Sequence, residues 1–263
     1  MAAVTDEPGL QTIGGIRVEM QTRGNGRPVL FLHPENGFDF AAPALDALAA
    51  KTRVVAPSHP AFGRSEVAPW MSTVDDLAYF YLDLLDELDL RNVALVGVSF
   101  GAWLAAAIAI KSTARFSHVV LTSALGIKVG DRETRDIPDI FAMTDAQYLE
   151  TVYADPAVAK RDYTAMAEAD LMVIARNREA TARYGWSPYM HDPKLKRRLH
   201  RIRVPTLVLW GENDRMTTPD YGRALAAAVP GARFETIARA GHFPHAEQPT
   251  AFAQKTLAFL GLA

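Results

Sequence analysis

The stretch Leu95–Trp103 reads LVGVSFGAW. Small and β-branched apolar residues lead into a serine held between two glycines, and WLAAAIAI then continues as a run with helical character. Two readings compete for it: a tight turn with an incidental serine, or a device that presents one hydroxyl. Glycine at 97 and 101 lets a strand bend sharply into a helix where side chains would collide. Such a turn holds Ser99 strained, with its oxygen exposed, and leaves the Phe100 amide at a helix N-terminus, a natural donor to a developing oxyanion.

Working outward, strand and helix patterns alternate. LQTIGGIRVEMQTRG reads as a hairpin turning at Gly14-Gly15. PVLFLH and RVVAPS are short apolar runs of the kind buried on both faces of a sheet, with the helix PALDALAA between them, opened by Pro43. Asp75–Leu90 carries Leu77, Phe80, Tyr81, Leu84, Leu85 and Leu88 at helical spacing. VALVGVS, the helix GAWLAAAIAI and the strand FSHVVLTSA follow. From about Leu125 to Arg201 the pattern is helical only, including DAQYLETVY and Tyr163–Tyr184. VPTLVLWG, a helix over Tyr221–Val229, ARFETIA and a helix over Gln248–Leu260 complete the chain. The alternation predicts a mostly parallel α/β sheet with helices on both faces. The helical block reads as an inserted cap at 126–200, leaving 1–125 and 201–263 as the core.

Composition narrows the function classes. The 263 residues suffice for a large core, roughly 75% of the unfolded surface being buried at such lengths. A net charge of −2 offers no electrostatic case for nucleic acid or an anionic membrane, and no apolar run suits a membrane span. With no cysteine there is no disulfide, thiolate metal site or thiol nucleophile. The N-terminus lacks a secretory pattern, so the expectation is a cytoplasmic protein. KLKRRLHRIR (194–203), the only basic run, reads as a solvated short helix opened by Asp192-Pro193. His242 and His245 alone do not make a metal site.

In open parallel sheets, ligands bind beyond the carboxyl ends of the strands. Ser99 stands there after VALVGV, Asp214 after LVLWG, His242 after RFETIARA, and His33-Pro34-Glu35-Asn36-Gly37 after VLFL. A nucleophile, an acid and a base thus follow in that chain order. A serine hydroxyl is a weak nucleophile until a base takes its proton, and that base needs a carboxylate to orient it.

On these pieces the sequence resembles the α/β-hydrolase family along almost its whole length: the GVSFG elbow, GENDRMTTP, AGHFPHAEQP, and SHPAFGRS at 58–65. The resemblance implies an α/β-hydrolase fold, with Ser99 as nucleophile, Asp214 as acid and His242 as base. It also implies an oxyanion hole made by the backbone N–H groups of Phe100 and Glu35. Pro34 replaces the glycine usual in that loop, but the expected donor lies one residue later. Some members carry the acid after the strand matching FSHVVLTSA, which here ends in Thr122, Ser123 and Ala124 without a carboxylate. The Glu35 side chain either tunes the pocket or points to solvent.

His33 and His245 read as structural supports, although His33, Phe38, Trp103, Met216 and Phe243 are also the candidates for lining a substrate pocket. Phe141, Tyr148, Tyr153, Tyr163, Met166, Met172 and Trp186 would give the cap an apolar roof. The expected activity is hydrolysis of a small, fairly apolar carboxylic ester through an acyl-enzyme, without metal or cofactor. C–C bond hydrolysis, lactone opening and peracid formation use the same apparatus, and a small-molecule receptor is the alternative of another class. Aspartate-nucleophile chemistries, dehalogenation and epoxide opening, are disfavoured by Ser99. Oligomeric state is not readable.

Overall fold

A computed structural model describes residues 9–262. Its frame is an eight-stranded sheet in the order β1-β2-β4-β3-β5-β6-β7-β8. The strands are β1 (Gly9–Ile13), β2 (Ile16–Arg23), β3 (Pro28–Leu32), β4 (Arg53–Pro57), β5 (Val93–Val98), β6 (Phe116–Thr122), β7 (Thr206–Gly211) and β8 (Arg233–Ile237). β1 and β2 form the hairpin, β2 runs antiparallel to β4, and every pairing from β4 to β8 is parallel. All residues of β5 and β7 are buried, as continuous apolar runs in a covered parallel sheet should be.

The helices are α1 (Ala42–Ala49), α2 (Val74–Glu87), α3 (Phe100–Lys111), α4 (Asp145–Val152), α5 (Glu168–Gly185), α6 (Leu195–Arg198), α7 (Pro219–Ala228), α8 (Pro244–Glu247) and α9 (Pro249–Phe259). α1 packs on α9 and α2 on α3. α2 is started by a reciprocal cap: Thr73 Oγ1 accepts from Asp76 N, and Asp76 Oδ2 accepts from Thr73 N. In α3 every residue from Phe100 to Ile110 is buried, so this helix has no solvent face.

Between β6 and β7, residues 123–144 run as loop, with an isolated bridge joining Gly126 to His191, and helices begin only at Asp145. The helix expected over Tyr163–Tyr184 is two pieces. Asp162 caps a 3-10 turn at Tyr163–Ala165, and the α-helix starts only at Glu168. The insertion is pinned over the strand ends by α5: Thr181 Oγ1 donates to Glu35 O, Asn177 Nδ2 to Asn36 O, and Tyr184 Oη to Pro60 O. Of the expected roof residues, Phe141, Tyr148, Tyr153 and Tyr163 face a cavity beneath it, whereas Met172 and Trp186 are exposed. No helix among the described residues is long and apolar enough to cross a membrane.

The order β4-β3-β5 contains the point where the chain, having stepped outward from β3 to β4, crosses back to β5. Crevices for ligands open at such a reversal. β3 and β5 pair there, Leu32 opposite Gly97, so the loop after β3 and the turn after β5 are neighbours.

Candidate active site

Ser99 occupies the turn between β5 and α3 with φ 51° and ψ −114°, a conformation unfavourable for a residue with a side chain. The flanking glycines make the turn possible. A Cβ on Gly97 would stand 2.3 Å from Gly101 O, and one on Gly101 would stand 2.1 Å from Leu32 O. Its backbone is tied to β6 by Ser99 N donating to Thr122 O at 2.8 Å.

Three chain segments converge on this hydroxyl. His242 Nε2 lies 2.6 Å from Ser99 Oγ, and His242 Nδ1 donates to Asp214 Oδ2 at 2.9 Å. Asp214 Oδ1 accepts from the N–H groups of Met216 and Thr217, and Oδ2 also accepts from Thr217 Oγ1. The carboxylate is therefore held by its own loop before it meets the imidazole. His242 is fully buried; burial alone would lower its proton affinity, but Asp214, with help from Glu35 and Glu247, outweighs that and raises it above the usual 6.5.

The third segment is the loop after β3. Its carboxylate does not face solvent: Glu35 is only 4% exposed, and its Oε2 lies 2.6 Å from Ser99 Oγ. Glu35 Oε1 is buried without a hydrogen-bond partner among the described residues. A carboxylate after a buried strand was the available signal, but its direction depends on loop burial, which residue type does not reveal.

One hydroxyl proton cannot serve both neighbours. If Ser99 donates to Glu35, the His242 contact needs a proton on Nε2; if Ser99 donates to His242, as catalysis requires, the hydroxyl offers Glu35 no proton.

The two expected oxyanion donors, the N–H groups of Phe100 and Glu35, have no acceptor among the described residues. The Glu35 loop is shaped from below. His33 Nδ1 donates to Pro34 O, His59 N donates to His33 Nε2, and the two rings stack at 3.7 Å. Burial pushes His33 down to about 4, and His59 well below its ordinary value, so both rings are neutral supports.

The cavity under the insertion has a volume of about 110 Å³. Its wall is aromatic and aliphatic, with Phe141, Tyr148, Leu149 and Ile174, and carries the acids Glu35, Asp39 and Asp145 and the bases Arg161 and Arg178. Arg161 is paired with Asp39 at 2.7 Å. None of the five expected lining residues contributes to this wall. His33, Met216 and Phe243 are buried beneath the loops, and Phe38 borders a separate cleft beside Gly37. Trp103 packs against Phe100 and the backbone of Gly126. The residues that do line it come mostly from the insertion, where helical spacing could not separate inward from outward faces.

A profile described as the alpha/beta hydrolase family matches residues 29–255. The chain belongs to that family. It is similar to a 2-hydroxy-6-oxononadienedioate/2-hydroxy-6-oxononatrienedioate hydrolase of Paraburkholderia phymatum, at 28% identity over 94% of this chain and 91% of the relative. It is also similar to 3-oxoadipate enol-lactonase 1 of Acinetobacter baylyi, at 27% identity over 81% and 80%. The same fold is found in a thermophilic esterase from Thermogutta terrifontis, with a TM-score of 0.76 at 22% identity over 97% and 98% of the two chains. As a member of this family, the chain is a hydrolase.

Proposed function

We propose that this alpha/beta hydrolase cleaves a small, fairly apolar carboxylic ester through an acyl-enzyme on Ser99. The observation that carries the reading is the Ser99–His242–Asp214 hydrogen-bonded line, 2.6 Å and 2.9 Å, in a fully buried setting. His242 takes the Ser99 proton as Oγ bonds to the ester carbonyl carbon. The N–H groups of Phe100 and Glu35 receive the oxyanion, each such donor contributing roughly 3 kcal/mol to the transition state. His242 then protonates the departing alkoxide, and water attacks the acyl carbon to release the acid and restore Ser99.

The cavity supports a neutral substrate. Three acids against two arginines, with Arg161 already paired, give an anionic substrate no uncompensated positive wall. C–C hydrolysis of a dienoate is the second reading, supported by the similarity to the Paraburkholderia phymatum hydrolase. Both are tested by initial rates on p-nitrophenyl esters of increasing acyl length and on a 2-hydroxy-6-oxo-dienoate, with wild type and Ser99→Ala. The ester reading expects short neutral esters to turn over and the variant to lose that activity. Turnover of the dienoate alone replaces it with the second reading, and a fully active Ser99→Ala removes Ser99 from both.

A further inference from the structure

We propose that Glu35 is a further catalytic residue, holding the hydrolytic water of the deacylation step between its carboxylate and His242. The proposal rests on the acyl-enzyme reading above. Its starting point is what happens to the hydrogen bonds around Ser99 once the serine is acylated.

Before acylation, Oγ is bracketed by two groups at 2.6 Å, Glu35 Oε2 and His242 Nε2. Acylation takes the hydroxyl proton away and replaces it with the acyl carbon. Once acylated, the Ser99 oxygen can offer Glu35 Oε2 no proton, and Oε1 has no donor among the described residues. A buried carboxylate without a hydrogen bond is costly, so the acyl-enzyme recruits a donor to this position. A water there donates one O–H to Glu35 and the other to His242 Nε2. Both partners flank the atom to which the acyl group is attached, so this water stands beside the carbon it must attack. Glu35 also lines the cavity under the insertion, which gives that water a route in.

The step balances. The water oxygen bonds to the acyl carbon as one water proton passes to His242 Nε2, and the carbonyl becomes the oxyanion. The second O–H stays hydrogen-bonded to Glu35, whose negative charge steadies the imidazolium. The intermediate then collapses: the C–Oγ bond breaks, Oγ takes the proton from His242, and the carboxylic acid departs. Acylation, by contrast, draws its nucleophile from Ser99 itself and needs no such water.

Two variants test this, Glu35→Gln, which keeps shape and removes charge, and Glu35→Asp, which keeps charge on a shorter arm. Stopped-flow release of p-nitrophenol from a short p-nitrophenyl ester separates the two half-reactions, and intact-mass spectrometry follows the acylated protein. Glu35→Gln is expected to give a burst approaching one equivalent, an accumulated acyl adduct, and a steady-state rate roughly 10²-fold below wild type. Glu35→Asp falls between the two. Hydroxylamine, a stronger nucleophile than water, restores turnover of Glu35→Gln as hydroxamate. A variant whose acylation and deacylation slow together without an adduct, or whose steady-state rate equals that of wild type, overturns the proposal while leaving Ser99 chemistry intact. Absence of both turnover and Ser99 acylation in wild type removes the hydrolase reading, and this proposal with it.

Discussion

Gly101 lies flat against the carbonyl of Leu32: a methyl group at 101 would sit 2.1 Å from Leu32 O and 2.5 Å from His33 O, both backbone atoms that no side-chain rotation can move. The contact joins the start of α3 to the end of β3, and so sets the distance between the Ser99 turn and the Glu35 loop. In an open helix, Gly→Ala gains about 1 kcal/mol. Here the sign reverses. Gly101→Ala is expected to cost about 3 kcal/mol through overpacking and to reduce ester turnover with it, read by urea denaturation and initial rates. An unchanged or higher unfolding midpoint would show that the contact is not rigid.

Much of this architecture is legible before any coordinates exist, for a physical reason. Parallel strands buried on both faces advertise themselves as unbroken apolar runs, and chemistry in this architecture is confined to their carboxyl ends. That is how Ser99, Asp214 and His242 emerge from sequence. Trp103 is a different case. It stands on a helix buried on every side, so periodicity carries no information about which face meets a ligand. Glu35 shows another limit, because its chain position is plain while its direction is set by Thr181 and the stacked pair His33 and His59 beneath the loop.

The buried histidines predict an acid-sensitive fold. Burial lowers His33 from 6.5 to about 4 and His245 from 6.5 to about 3. A lowered folded value means that protons bind the unfolded chain more readily. The stability is therefore complete above about pH 6.5 and is lost as pH falls toward 4 for His33 and toward 3 for His245, by about 1.4 kcal/mol per pH unit for each. His245 has both ring nitrogens buried and unpartnered among the described residues. His245→Leu is expected to leave neutral-pH stability unchanged or raised and to flatten the acid slope. Denaturation curves at stepped pH decide it: parallel slopes in the two proteins refute the assignment.

Glu247 couples the insertion to the base. Its Oε2 accepts from Gly241 N at 2.6 Å, while Oε1 accepts from Ala154 N at 2.8 Å and Asp155 N at 3.2 Å. The next residue, His242, donates its own N–H to Val152 O at 2.7 Å. Glu247→Ala frees two half-buried donors and one exposed donor at once and is expected to lower kcat roughly 10-fold by misplacing the imidazole. Glu247→Gln, which keeps one acceptor oxygen, should fall less. Equal kcat in all three proteins would mean that the His242 loop is held without this side chain.

The proton on His242 Nε2 fixes the direction of the pH–rate profile. His242 can accept the Ser99 proton only when its Nε2 is bare, and its proton affinity is raised above the usual 6.5. Activity is thus low in acid and rises as His242 loses its proton, so the acid limb of kcat/KM is expected above pH 6.5. Glu35 charge is one cause of the raised affinity, secondary to Asp214. Glu35→Gln should therefore shift the limb to lower pH, even as deacylation slows. Because kcat/KM reports the free enzyme and the acylation step, the two effects appear in different kinetic constants. A limb that stays in place in Glu35→Gln would mean that the carboxylate 2.6 Å from Oγ does not bear on the protonation of His242.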